Sequence, residues 1–243
     1  MDYSIIIYIV FGILPSLVWL TYYLRKDIHP EPKRMILKIF LWGVLIALPV
    51  FFVQIGLKSI LDKTNIDPFF YSLIYWFLII ALSEEFFKYL VVRVKVFNSP
   101  NLDEPLDVML YMVVAALGFA AIENVLYLFA PVDQMMSFSE MINRALIIDF
   151  IRFIGATFLH TLCSGVIGYS LAISFCEVKT RRISVVIGIF VAVLLHGLYN
   201  FSIITLEGYA RFAVPVAIII TLALLVFSGF EKLKKMKGVC KLN

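Results

Sequence analysis

Long apolar runs with short polar interruptions dominate the chain. They fall near residues 4–24, 36–57, 69–92, 107–130, 147–175, 183–206 and 210–230. Each is close to or longer than the roughly 20 residues that cross ~30 Å of hydrocarbon at ~1.5 Å per residue. The pattern predicts an all-α integral membrane protein, a bundle of about seven transmembrane helices joined by short loops. One polytopic membrane domain is expected over residues 1–243. The first run does not read as a cleavable signal peptide, because Asp2 makes its front acidic and no small-residue cleavage site precedes Tyr22, Tyr23, Leu24 and Arg25.

Composition agrees with this reading. The chain is 62% hydrophobic and only 16% charged, against about 25% charged for a soluble domain. Most of its 21 lysines and arginines gather at alternate ends of the predicted spans. Arg25, Lys26, Lys33, Arg34 and Lys38 flank the first connection, Arg93 and Lys95 the third span, and Lys179, Arg181 and Arg182 the fifth. Lys232, Lys234, Lys235, Lys237 and Lys241 follow the last. The opposite ends hold Lys58, Lys63, Arg144 and Arg211. Basic residues favour the cytoplasmic side, so the N-terminus is expected outside and the C-terminus in the cytoplasm. A net charge of +4 needs no nucleic acid to explain it, since a basic tail serves as a topology determinant near anionic lipid. Cys163, Cys176 and Cys240 have neither the spacing of a zinc knuckle nor an even count for a disulfide framework.

Against this apolar background, Glu84, Glu85, Glu123, His160 and His196 fall inside predicted spans. A charge at the centre of a membrane helix costs about 2.5–3.5 kcal/mol on insertion scales, so carboxylates and imidazoles on four spans indicate a site. Glu84 and Lys88 are i,i+4 neighbours on one helical face, and Glu85 points about 100° away. An ion pair that pins helix packing would explain Glu84 and Lys88 alone. The adjacent second carboxylate favours acid–base chemistry instead, because two like charges resist joint ionisation. Glu104-Pro105-Leu106-Asp107 is an ordinary helix start by composition.

Deeper in the fourth span, Gly118 permits close helix approach. Glu123 follows, with Asn124 beside it and Tyr127 one turn on, an arrangement that packing alone could also explain. Arg152, Ala156 and His160 recur at i,i+4, continuing through Ser164 and Gly168, as a stripe that would line an intramembrane polar cavity. His196 and Asn200 are one turn apart, so the amide could orient the imidazole or hold an oxyanion. At ~1.5 Å per residue the four spans carry these groups roughly 10–22 Å below the outer boundary, loosely one midplane site. A divalent metal such as zinc is allowed by ligand type at Glu84, Glu123, His160 and His196. No HExxH or ExxH spacing demands it.

Ser83-Glu84-Glu85-Phe86-Phe87-Lys88 resembles the EExxK motif of PrsW-type intramembrane proteases. Glu104-Pro105-Leu106-Asp107, the FxxxE of Phe119 to Glu123, His160, and the HxxxN of His196 to Asn200 follow in that family's order, covering roughly residues 70–205. The resemblance extends to the larger group of CAAX prenyl endopeptidases and bacteriocin-immunity proteins, whose FxxxH stands where this chain has Glu123. It implies a bacterial plasma-membrane endopeptidase that makes the first cut in a single-pass membrane substrate of the anti-sigma-factor type. Glu84 with Glu85 would activate water, His160 and His196 would position it or carry protons, and Asn200 would assist the oxyanion. Glu123 would serve as a second carboxyl or a ligand, with Lys88, Glu104, Asp107, Asn124 and Arg152 in support. Two other classes stand beside it. One is a catalytically silent membrane scaffold, such as the superfamily relative within gamma-secretase. The other is an ion-coupled transporter, for which intramembrane Glu and His are also typical.

Overall fold

The structure is a computed structural model that describes residues 3–27, 29–130, 137–176 and 181–236. Asp2, Lys179, Lys237, Cys240 and Lys241, used above, lie outside the described residues, as does the side chain of Cys176. Seven long helices follow in order: α1 (Tyr3–Leu24), α2 (Lys33–Leu61), α3 (Pro68–Lys95), α4 (Pro105–Leu128), α5 (Phe138–Phe175), α6 (Arg181–Thr205) and α7 (Ala210–Leu233). All seven are long and apolar enough to cross a membrane, and the described residues contain no strand.

The helix starts have identifiable local causes. Asp67 accepts the Phe69 amide at 2.8 Å, and Pro68 occupies the first helical position of α3. Pro105 does the same for α4, where Asp107 accepts the Glu104 amide at 2.7 Å. The expected fifth span begins at residue 147, whereas α5 begins at Phe138. A reciprocal cap explains the earlier start: Ser137 Oγ accepts the Glu140 amide, and Glu140 accepts the Ser137 amide. Polar Ser139, Glu140, Asn143 and Arg144 hide this first stretch from a hydropathy reading. Arg144 then donates to the Leu128 and Ala130 carbonyls at 2.9 and 3.2 Å, satisfying groups that the end of α4 leaves open.

α4 is the axis of the bundle. Its most apolar window is 94% buried, against 17% for that of α1, and it packs against α1, α2 and α5. Gly43 and Gly118 make the α2–α4 crossing feasible. A Cβ at Gly118 would lie 2.0 Å from the Phe40 carbonyl oxygen, and one at Gly43 2.2 Å from that of Ala115. The other helices turn large apolar side chains outward, among them Phe52, Phe190 and Leu224, as a lipid-facing surface requires.

Two stretches of wider π-helical winding interrupt the regular helices, Ile74–Ala81 in α3 and Phe153–Thr157 in α5. Such insertions are rare and often occur at functional sites. Here each ends within a few residues of an ionisable group singled out above.

Candidate active site

Glu84 and Glu85 enter the bundle in the first regular turn after the π segment of α3. Ser83 Oγ donates to the Ile79 and Ile80 carbonyls at 2.5 and 3.0 Å, a partner for backbone groups in the altered winding. On α5, Arg152 precedes the second π segment and His160 follows it. Eight residues of ideal helix would separate them by about 80° around the axis. The wider winding takes up that offset, and both side chains reach Glu123 of α4: Arg152 Nη2 at 2.8 Å and His160 Nε2 at 2.7 Å.

The chemistry then fixes which imidazole nitrogens are free. A carboxylate only accepts hydrogen bonds, so His160 donates Nε2–H to Glu123 and keeps a lone pair on Nδ1. Lys88 Nζ, which only donates, approaches that Nδ1 at 2.7 Å. His196 of α6 donates Nδ1–H to Glu85 Oε1 at 2.9 Å, leaving the Nε2 lone pair. Glu84 Oε2 lies 3.8 Å from each of these two nitrogens, of which the His160 one is already held by Lys88. Glu84 Oε2 is buried and has no hydrogen-bond partner.

Glu84, His160 and His196 are each no more than 3% exposed, and Glu85 and Lys88 are fully buried. Water therefore provides little screening, and the cluster must balance its own charge. Lys88 lies 2.8 Å from Glu85 and 3.7 Å from Glu84, and Arg152 lies 2.8 Å from Glu123. Two cations thus face three carboxylates, a deficit of positive charge with both imidazoles neutral.

That donor set suits a divalent cation. Glu84, His160 and His196 each offer a ligand atom, all within 4.8 Å of one another. Ligands at ~2.1 Å around a tetrahedral zinc ion stand about 3.4 Å apart, so an ion would draw both nitrogens closer to Glu84 than the observed 3.8 Å and displace Lys88 Nζ from His160 Nδ1. Glu85 and Glu123 behind the two imidazoles are the carboxylate partners that fix ligand tautomers in histidine–metal sites. The Glu85, Cys163 and His196 group is less suitable, because Glu85 already accepts from Lys88, His196 and Ser164.

Beside the cluster lies a cavity of about 300 Å³ between α3, α4, α5 and α6. Trp76, Ile148, Ile151 and Ile203 give it apolar walls, and Arg152 and Asn200 are among its polar groups. Arg152 stacks on Tyr127, its guanidinium carbon 3.9 Å from the ring centroid. It also donates to Asn124 at 2.5 Å.

A family model described as the PrsW family intramembrane metalloprotease matches residues 31–227. The chain belongs to the PrsW protease family. It is 31% identical to Protease PrsW of Oceanobacillus iheyensis over 83% of each chain. It is 28% identical to Protease PrsW of Geobacillus kaustophilus, covering 95% of this chain and 92% of the relative. The corresponding Bacillus subtilis protein is 29% identical over 94% of each. No solved structure matches the chain. Membership of the PrsW family makes this a membrane-embedded peptidase rather than a silent scaffold or a transporter.

Within this PrsW bundle, Glu84, Glu85, Lys88, Glu123, His160 and His196 come together as the motifs imply. Several local pairings differ from those read off the sequence. Lys88 sits nearer to Glu85 than to its i,i+4 neighbour Glu84, because the buried ammonium also reaches His160. Glu123 is held by Arg152 and His160, while Asn124 instead joins Arg152 and Thr157. Glu85 orients the His196 ring, and Asn200 faces the neighbouring cavity.

Glu104 and Asp107 do not join the cluster. They lie at the start of α4, sixteen or more residues and about 24 Å of helix before Glu123. There Asp107 caps the helix and Glu104 pairs with His29 at 2.7 Å. One neighbour escaped the sequence reading. Gln54 of α2 donates to Ser83 Oγ and Glu84 Oε1, both at 3.2 Å. The available signal was a lone amide in an otherwise apolar stretch of the second span.

Proposed function

We propose that the chain hydrolyses a peptide bond in a single-pass membrane protein of the anti-sigma-factor type, as the first cut in regulated proteolysis. Glu84, His160 and His196 are the residues that would hold a divalent ion such as zinc. The observation that carries this reading is Glu84 Oε2, a buried carboxylate oxygen without a hydrogen-bond partner that lies 3.8 Å from both His160 Nδ1 and His196 Nε2. A zinc ion bound there would supply Lewis-acid polarisation and a water acidic enough to ionise near neutrality.

The remaining roles belong to the chain itself. Glu85 and Glu123 hold His196 and His160 in the tautomers that present their lone pairs. Lys88 offsets the charge of the adjacent carboxylates. Glu123, whose side chain is 23% exposed, is the carboxylate through which a proton can pass between cluster and cavity. The apolar walls around Trp76 and Ile203 accept an apolar stretch of substrate, and Asn200 donates to its backbone carbonyl. The basic helix ends face the cytoplasm of a bacterial cell, which puts the N-terminus outside.

Lys88 favours a second reading. Its ammonium occupies the His160 Nδ1 lone pair, so the same cluster can work without metal, with Glu84 as the base that activates water. Cleavage of a candidate single-pass substrate by purified protein in detergent separates the two. Loss of cleavage with chelator and recovery with zinc supports the metal site. Cleavage that survives chelator and fails only in Glu84→Gln supports the metal-free base. Normal cleavage by folded Glu84→Gln sinks both.

A further inference from the structure

At the end of the bundle that carries most of the basic side chains, a second cavity of about 580 Å³ lies between α3, α5 and α6. Three guanidinium groups border it: Arg93 from the last turn of α3, and Arg181 and Arg182 from the start of α6. Among the described residues, no carboxylate lines it. We propose that this pocket binds the phosphate of an anionic membrane phospholipid.

Arg181 and Arg93 are held by neighbouring groups, while Arg182 is exposed at the rim. Arg181 donates Nε–H to the Ser174 carbonyl at 3.1 Å, and its guanidinium lies 5.9 Å from the Phe175 ring centroid. Arg93 sits similarly over Phe97, at 5.6 Å. Phe97 and Phe175 meet edge to face at 5.1 Å, forming one aromatic floor beneath both cations. Arg181 Nη2 is buried and has no hydrogen-bond partner. A guanidinium with a committed Nε–H and an uncommitted buried Nη2 leaves an unmet donor, at a cost that a bound acceptor would remove. Phosphate oxygens suit that fork, which can bind them in a bidentate manner.

The apolar part of the pocket points to a lipid rather than a free anion. Leu171, Val185 and Val186 continue the wall from the arginines along α5 and α6, and Val186 is 65% exposed on the lipid-facing surface. An acyl chain can lie on this wall while its phosphate meets the cations. Basic pockets between helices on the cytoplasmic side are a recognised setting for such headgroups. The pocket lies at the opposite end of α6 from Asn200, so its occupancy can be read independently of proteolysis.

The test is thermal stability of purified full-length protein in neutral detergent, titrated with phosphatidylglycerol, phosphatidylcholine or inorganic phosphate. Phosphatidylglycerol is expected to raise the melting temperature saturably, and phosphatidylcholine not to. Arg93→Gln/Arg181→Gln/Arg182→Gln is expected to weaken the apparent affinity roughly tenfold or more, as loss of charge-assisted hydrogen bonds implies. Lys33→Gln/Arg34→Gln/Lys38→Gln removes as much charge from the same side and is expected to keep the response. Should the arginine triple variant not fold, Arg182→Gln alone, an exposed position, is expected to show a smaller loss in the same direction. Equal loss in both triple variants would overturn the site in favour of diffuse attraction. Protection by inorganic phosphate equal to that by phosphatidylglycerol would overturn the lipid assignment.

Discussion

Arg152 holds the Glu123 carboxylate at 2.8 Å, and that carboxylate in turn holds His160. The pair stands between the cavity at Trp76 and the buried histidines, so one ion pair both braces the site and borders its approach. Its side chains are 10% and 23% exposed. Removing one partner from a buried pair costs about 3–5 kcal/mol, and partial exposure favours the lower end. Arg152→Met is therefore expected to lose about 3 kcal/mol. Adding Glu123→Gln should return part of that loss, because no unpaired carboxylate remains. Thermal or denaturant unfolding of the two single variants and the double variant measures the coupling; additive losses would show that the pair is not energetically linked.

Glu85 supports metal binding without being a proposed ligand. It fixes the His196 tautomer from behind, and losing such a partner typically lowers metal affinity 10–100-fold. Glu85→Gln is expected to bind zinc that much more weakly, while Glu84→Gln, which lacks a ligand charge, falls further. Competition with a chromophoric chelator on purified protein gives both constants. Unchanged zinc affinity in Glu85→Gln would remove the orienting role.

Gln54 belongs to a helix outside the recognised motifs, yet it is hydrogen-bonded to Glu84 Oε1 at 3.2 Å. A neutral hydrogen bond, as to Ser83, contributes about 1 kcal/mol and one to a carboxylate, as to Glu84, about 1.5–3 kcal/mol, a loss that Gln54→Leu should survive folded. Its effect belongs in the reaction: Glu84 loses a fixed orientation, and kcat should fall roughly tenfold, equivalent to about 1.4 kcal/mol, with KM little changed. Steady-state cleavage kinetics separate this from a packing defect, which would lower the melting temperature without moving kcat.

Between the first two candidate spans, Glu31 accepts a hydrogen bond from Tyr111, and burial raises its carboxyl above the ordinary 4.5 despite that bond. A carboxyl raised in the folded state stabilises the fold below the unfolded value, and that contribution is lost as pH climbs through the folded one. Wild-type stability should therefore decline through this group as pH rises above about 4.5. Glu31→Gln retains an acceptor for Tyr111 and should flatten that part of the profile. Melting temperatures across this range, in one detergent and at one ionic strength, test the sign. A steeper decline in the variant would contradict it.

The apolar runs determined the number and order of the helices, because hydrocarbon requires about 20 apolar residues of any crossing segment. They also marked Glu84, Glu85, Glu123, His160 and His196, since an ionisable side chain in such a run needs a partner or a function. The recurring motif order identified the family. Those signals are local. Partner choice is not, and only the tertiary structure decided it: Lys88 with Glu85 and His160, Arg152 with Glu123, and Gln54 with Glu84. Ideal helical spacing failed where the backbone changes its winding. Arg152 and His160 share a target because the π segment at Phe153–Thr157 shifts the register between them, a change that no hydropathy pattern encodes. Sequence set the chemistry and approximate depth of each group; the crossing angles and winding of five helices decided which atoms meet.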